Sequence, residues 1–298
     1  MSAIAFWGAV ELGLVYAFVA VGVFIAFRVL SFPDLTVDGS FPLGAAVAAV
    51  MITAGLDPWL ACLAAALAGA AAGLVTAFLN VRFGILNLLA SILTMIALFS
   101  INLRVMGRPN VALVNRPTVL TPFYDLGLAD HLVRPLLLLV LVIATVALVA
   151  RFLASDFGLA MRATGQNPRM ALANGIDTGR QVYVGMGLSN ALVGLGGALF
   201  AQVAGFADVT AGVGTIIVGL AAVIVGETLL RARGMLVALA ACVAGSVLYR
   251  IAVQLALSSD AIGLTASDLN LATAVLVTIA LVLPRLRARG LAWRSRPT

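Results

Sequence analysis

Long apolar runs recur along this chain, and most are close to the length that a lipid bilayer demands. A hydrocarbon core of about 30 Å takes about 20 apolar residues of α-helix. Runs of this kind lie near residues 4–27, 58–80, 85–106, 135–153, 180–203, 211–228, 235–257 and 268–284, with a shorter one near 40–55. In lipid the backbone N–H and C=O groups must satisfy one another, so only helices and closed barrels can cross. Runs this long and this continuously apolar belong to helices. The expected fold class is therefore all-α: a polytopic helical membrane protein with about nine transmembrane spans. Only 10% of the residues are charged, against about 25% in a typical soluble domain, and the mean hydropathy is +1.14. No low-complexity linker or evident repeat divides the chain, so residues 1–298 read as one transmembrane domain. The 29 glycines suit helices that approach closely through small faces, since lipid offers no hydrophobic drive for helix association.

The charged residues exclude several chemistries. All eighteen basic residues are arginines. Without lysine there is no phosphate-loop lysine and no Schiff base, so this chain has no ATP site of the Walker type. Cys62 and Cys242 sit inside apolar runs, as buried small hydrophobes do, and neither a disulfide nor a metal site is expected. His131 is the single histidine, which rules out a histidine cluster for zinc. The formal charge of +6 does not imply nucleic-acid binding, because the arginines gather at span ends. No positive residue precedes the first span, so the n-region of a cleavable signal peptide is missing. Arginine placement predicts the N-terminus outside and the C-terminus in the cytoplasm. That orientation puts Arg28, Arg82, Arg151, Arg162, Arg169, Arg180, Arg231, Arg233, Arg285, Arg287, Arg289, Arg294 and Arg296 inside, against Arg104, Arg108, Arg116, Arg134 and Arg250 outside.

Two polar interruptions stand out. Residues 155–178, SDFGLAMRATGQNPRMALANGIDT, form a short, partly helical hook between two spans on the cytoplasmic side, a natural element to present to a cytoplasmic partner. Residues 32–44, FPDLTVDGSFPLG, break what would otherwise be continuous membrane sequence. Proline removes a donor and glycine permits unusual dihedrals, so a broken or late-starting helix is expected there. Such backbone is tolerated at membrane depth where protein buries it or where it lines a wet cavity. Asp34 and Asp38 are then either ligands of a polar pathway or caps for a helix beginning near Gly39. With Thr36 and Ser40 they make up the first group of candidate pathway residues. Asn87, Ser91 and Thr94 make up the second: steps of four and three put them on one face of the fourth span. That face either lines a passage or glues helices together. Asn102 follows eight residues further on.

Other polar residues within spans have plainer readings. Glu11 suits the outer interface, Asn190 and Gln202 suit interhelical hydrogen bonds, and Glu227 suits a pairing with Arg231 and Arg233. The outer loop 107–134 holds three prolines and reads as a solvated linker, on which Arg116, Asp125, Asp130 and Arg134 are available to a docking protein. Phe32, Phe41, Trp59 and Phe99 are aromatic groups that can stack on a ring, or else pack and anchor as membrane aromatics commonly do.

Three stretches carry a family resemblance. The hook GLAMRATGQNPRMALANGI (158–176) resembles the cytoplasmic coupling segment of bacterial ATP-binding-cassette (ABC) importer permeases, in the group that transports branched-chain amino acids and simple sugars. DLTVDGSFPLGAAVAA (34–49) is similar to that group's early signature, as is SNALVGLGGALFAQVAGFADV (189–209) followed by GLAAVIVGE. The resemblance runs from about residue 12 to 285 and is closest to the subfamily associated with tryptophan or tyrosine uptake. Gly226-Glu227 stands where the sugar branch has paired glycines, which counts against a sugar.

The resemblance implies a permease subunit in the bacterial inner membrane. It implies a partner ABC ATPase in the cytoplasm that carries ATP and magnesium, an extracytoplasmic substrate-binding protein, and a second copy of the permease. No cofactor on this chain is implied. Arg162, Gly165, Gln166, Asn167, Pro168 and Arg169 would meet the ATPase, with Gly165 and Pro168 shaping the turn. The solute it implies is an amino acid, with an aromatic one as the narrower reading. An ion-coupled secondary transporter using Asp34, Asp38 or Glu11 is the alternative. An intramembrane enzyme finds no HExxH motif, no histidine–serine pairing and no carboxylate cluster at metal-ligand spacing.

Overall fold

The computed structural model describes residues 3–126, 130–230 and 234–257, with Val275 and Thr278. Among them, seven helices are long and apolar enough to cross a membrane. An eighth, Val37–Thr53, is apolar but shorter. The expected span at 268–284 lies outside the described residues.

Helix α1 (Ala3–Val23) runs without interruption into a π-helix, Phe24–Val29. That turn ends at Ser31, which takes the left-handed φ of 54° that few non-glycine residues adopt. Residues 30–36 are not helical, apart from a turn at Thr36, and α2 (Val37–Thr53) starts only after them. The break expected around 32–44 is therefore real, though the helix begins two residues before Gly39. At 17 residues α2 is shorter than a full span. Pro42 lies inside α2 and has no N–H for the Asp38 carbonyl; that carbonyl instead faces Gly212, where a Cβ would collide with it.

The chain continues through α3 (Pro58–Phe83), α4 (Asn87–Met106), α5 (Asp130–Leu153), the short α6 (Asp156–Gln166) and α7 (Pro168–Ala173), α8 (Thr178–Ala204), α9 (Thr215–Leu229) and α10 (Met235–Leu257). Asp57 opens α3 by accepting hydrogen bonds from the Trp59 and Leu60 N–H groups, with Pro58 at the first helical position. The centre of the bundle is α8, which packs on α3, α2 and α1. Small residues make this possible. Ala65, Gly69 and Gly73 recur every four residues on α3, and a Cβ on either glycine would strike a backbone carbonyl of α8, that of Asn190 or Met186. By contrast α4 and α5 expose large apolar side chains such as Ile96, Phe99, Ile143 and Leu148, as lipid-facing or partner-facing helices do.

The loop between α4 and α5 has more structure than the sequence suggested. Strand β1 (Asn110–Ala112) pairs antiparallel with β2 (Phe206–Asp208), Val111 opposite Ala207. The Val119 N–H adds a 2.8 Å bond to Gln202 Oε1 on α8. Burial alone would push the Asp208 carboxyl up, but hydrogen bonds from the Thr210 hydroxyl, the Asn110 amide and the Thr210 N–H hold it below the ordinary carboxylate value.

Close packing of α3 on α8 sets an expected outcome. Gly69→Val forces backbone apart and should destabilise the protein by about 1–3 kcal/mol, read as a lower unfolding midpoint in detergent. Gly8→Ala, at a position with open space around it, should leave the midpoint where it is. Equal midpoints for the two variants would contradict the contact.

Candidate functional site

The interrupted segment is anchored at mid-bundle by a buried polar network. Asp34 is fully buried. Its Oδ1 accepts the Thr36 N–H at 2.9 Å, and its Oδ2 accepts Asn190 Nδ2 at 2.8 Å. Asn190 in turn accepts the Ser40 hydroxyl at 2.7 Å and donates to the Met186 carbonyl at 3.2 Å. The Thr36 and Thr76 hydroxyls share a bond of 2.7 Å. Four stretches thus converge: the 30–36 segment, α2, α3 and α8. A buried carboxylate without partners would cost several kcal/mol, and these bonds are what make its burial tolerable. Of the candidate pathway residues, Asp34, Thr36 and Ser40 are brought together here. Thr76 is the member that sequence reasoning missed; a single threonine in an apolar run gives no sign of its partner.

Asp38 does something other than start its own helix. It lies in the first turn of α2, and its carboxylate reaches across to α9, accepting the Ile216 N–H at 2.8 Å and the Gly214 N–H at 3.3 Å. The expectation of a cap is correct in kind and wrong in address, because the helix that needs the acceptor begins 176 residues later in the chain. Orphan N–H groups at a helix start within a membrane leave little alternative.

Beside Asp38 opens a cleft of about 400 Å³ between α2, α4 and the turn that follows β2. Asp38, Ser100 and Asn102 are polar residues in its lining; Pro42, Met95, Ile96, Phe99, Val209 and Val213 supply apolar wall. Asn102 is buried and donates to the Gly39 carbonyl at 3.2 Å, while its Oδ1 has no hydrogen-bond partner. The stripe read from sequence exists but does not line this cleft. Ser91 and Thr94 are buried and bond to carbonyls of their own helix, Leu88 and Ala90. Asn87 sits at the α3–α4 turn, where it accepts Asn80 Nδ2 at 2.6 Å. Asn102, a further two turns along, is the residue of that series that reaches the cleft.

The aromatic expectations divide likewise. Phe41 is buried and stacks on Tyr16, with ring centroids 5.5 Å apart, and Phe32 is buried too. Trp59 is exposed on α3; Phe99 is exposed in the cleft.

The hook is two short helices hinged at Asn167. Ser155 caps α6, and Asn167 caps α7 by accepting the Met170 N–H at 3.1 Å, with Pro168 next to it. Gly165 does not shape this turn: it is helical, and a Cβ there would collide with the Val29 carbonyl at the end of the π-helix. The hook therefore rests against the first span just before the interrupted segment. Arg162 is half-buried, whereas Gln166, Asn167, Pro168 and Arg169 are exposed, together with the apolar Met170 and Leu172.

Ion pairs mark the bundle ends. Arg28, on the π-helix, pairs with Glu227 at the end of α9. The pairing expected with Arg231 and Arg233 falls on residues that lie outside the described ones. Glu11 lies 3.9 Å from Arg134. The Arg116 side chain is exposed; those of Asp125 and Asp130 lie outside the described part of the structure. Among the described residues no group of three or more metal-ligating side chains forms.

Comparison with known proteins gives a consistent picture. Residues 8–283 match the family model described as the branched-chain amino acid transport system permease component. The chain is 36% identical over 265 residues to a tyrosine transport system permease protein of Clostridioides difficile (strain R20291), covering 89% of this chain and 86% of that one. It is 37% identical over 201 residues to an uncharacterized protein of Rickettsia prowazekii (strain Madrid E), covering 67% of this chain and 69% of that one. No solved structure matches.

Asn190→Leu removes the partner of both Asp34 and Ser40. Unsatisfied buried groups cost about 1–3 kcal/mol each and more when charged, so this variant should lose folded, monodisperse protein on purification. Asn87→Ala, at the half-buried turn, should cost less than about 1 kcal/mol. Comparable yields and thermal midpoints for both variants would contradict the assignment of the network.

Proposed function

The chain belongs to the family of branched-chain amino acid transport system permease components, and from that premise we propose that it forms the membrane pathway of an ABC importer for an amino acid, its work supplied by a separate ATPase. The observation that carries the reading is the hook. Its exposed face combines Arg169, Gln166 and Asn167 with Met170 and Leu172, the mix of polar and apolar groups found at protein interfaces. Its opposite face bears on the backbone of the first span through Gly165.

A cytoplasmic ATPase subunit that binds ATP and magnesium seats on this hook, with Arg162, Arg169 and their neighbours in contact. Closure of the ATPase dimer displaces the hook, and the Gly165–Val29 contact passes that displacement to the segment that carries Asp34. Two copies of the permease share the pathway between them, and a substrate-binding protein delivers the solute to the outer loop. The N-terminus lies outside and the hook inside, across the bacterial inner membrane. The aromatic relative points to tyrosine or a similar amino acid as the solute. The lack of any lysine supports placing ATP on a partner chain.

An ion-coupled carrier would need a carboxylate free to exchange its ion. Asp34 and Asp38 are engaged in hydrogen bonds within the protein, and Glu11 faces Arg134, which weighs against that alternative.

Arg162→Glu tests the hook. In the complete system reconstituted with ATPase and binding protein, uptake should fall about tenfold or more, since a reversed charge at an interface costs upwards of about 1.4 kcal/mol. ATP hydrolysis should continue and the permease should still insert in the membrane. Uptake at the unmutated rate would overturn the assignment of the hook.

A further inference from the structure

The cleft beside Asp38 differs from the other large grooves of the bundle. One of those, between α5 and α8, is walled by Leu148, Val184 and other apolar residues with Thr145 as its polar member; another, between α1, α5 and α10, is apolar throughout its lining. These suit lipid chains or helix partners. The cleft of about 400 Å³ is of the size of small-molecule sites, roughly 300–1,000 Å³, and shares their pattern of apolar walls with a few converging polar groups.

Those polar groups have a common bias. Each Asp38 oxygen holds one backbone N–H and retains acceptor capacity. Asn102 gives one of its two amide N–H groups to Gly39, which leaves one N–H and the buried Oδ1 acceptor, and it is the Oδ1 that is buried with no partner. Ser100 can donate or accept. None of the residues lining the cleft is basic. A carboxylate or phosphate would therefore meet no cation there, whereas a group rich in N–H donors would meet acceptors on two sides. Met95, Phe99 and Val209 offer apolar contact to whatever the donor group is attached to.

We infer that this cleft is the solute-holding station of the pathway, and that it recognises a primary ammonium carried beside a bulky apolar or aromatic group, with Asn102 as the specificity-determining acceptor. The inference rests on the permease reading and narrows it, assigning the amino end of the solute to Asn102 and Asp38 and the side chain to the Phe99 wall. In the structure Asn102 Oδ1 is shielded, so the solute reaches it as α2 and α4 part. An acceptor left unsatisfied in the closed form and satisfied in the loaded one biases the equilibrium between them, because a ligand shifts a protein only through such a difference in contacts.

The test uses Ser100→Cys in the complete reconstituted system, where the two native cysteines are buried. A charged, water-soluble thiosulfonate should modify the introduced thiol. L-tyrosine and tyramine should slow that modification, and 3-(4-hydroxyphenyl)propionate, which keeps the ring and the carboxylate but lacks the ammonium, should not. Asn102→Leu should abolish the protection and raise the KM for tyrosine uptake about tenfold, the loss expected for one hydrogen bond to a charged group. Asn102→Asp, close in shape and still an acceptor, should restore protection, which a merely structural residue would not do. No modification from water, or protection that ignores the ammonium, overturns the inference, while uptake by the unmutated complete system keeps the permease reading intact. If the unmutated complete system moves no amino acid at all, both fall together.

Discussion

A chain that breaks its helix inside a bilayer must find partners for its exposed amides and carbonyls, and the stretch between the first span and α2 is held at its centre by Asp34. The carboxylate holds the Thr36 N–H on one side and Asn190 on the other, and Asn190 holds Ser40. Water is not available at that depth to complete a partial set. The arrangement fixes where α2 begins and which face of α8 it meets. Close contact between α2, α3 and α8 follows from the same placement, since Asn190 sits on α8 at the point where Gly69 of α3 touches its carbonyl. Polar satisfaction and small-residue packing are thus two aspects of a single junction.

The hook connects to this junction by a short path. Gly165 abuts Val29, and the neighbouring Leu30 packs its side chain against Gly185 of α8. From Leu30 the backbone runs four residues to Asp34. The π-helix lies at the root of this path, and its Arg28 is tied to Glu227 at the foot of α9. π-turns mark functional sites often enough to make the placement meaningful. A displacement of the hook is therefore received by two elements at once, the interrupted segment directly and α9 through the ion pair.

Much of this architecture was legible in the amino-acid sequence. Seven span positions followed from apolar length alone, because the bilayer sets that length; the run at 40–55 forms a shorter helix, and that at 268–284 lies outside the described residues. The helix break was legible from the prolines, glycine and acids of residues 32–44, and Asn190 was recognisable as an interhelical bonder because an amide within a span needs a partner. Assignments that depended on which helix lies opposite were not legible. Asp38 looks like a local cap in sequence, and nothing within ten residues reveals that α9 supplies the amides. Glu227 has Arg231 and Arg233 as neighbours in sequence but meets Arg28 in space. Gly165 beside Asn167 and Pro168 looks like a turn glycine, yet the turn is made by its neighbours and the glycine serves a close approach. Periodicity placed Ser91 and Thr94 on one face correctly; it could not say that the face points into packed protein, or that Asn102 alone of the series borders the cleft.

The small ribbon of β1 and β2 ties distant parts of the chain together. Asn110–Ala112 is stitched to Phe206–Asp208, and four residues beyond that strand lies Gly212, pressed against the Asp38 carbonyl. The loop between α4 and α5 is thereby tied to the amino end of α9. From Gly212 the chain runs three residues to the first residue of α9, so the ribbon, the start of α9 and the Asp38 wall of the cleft are one connected piece of structure.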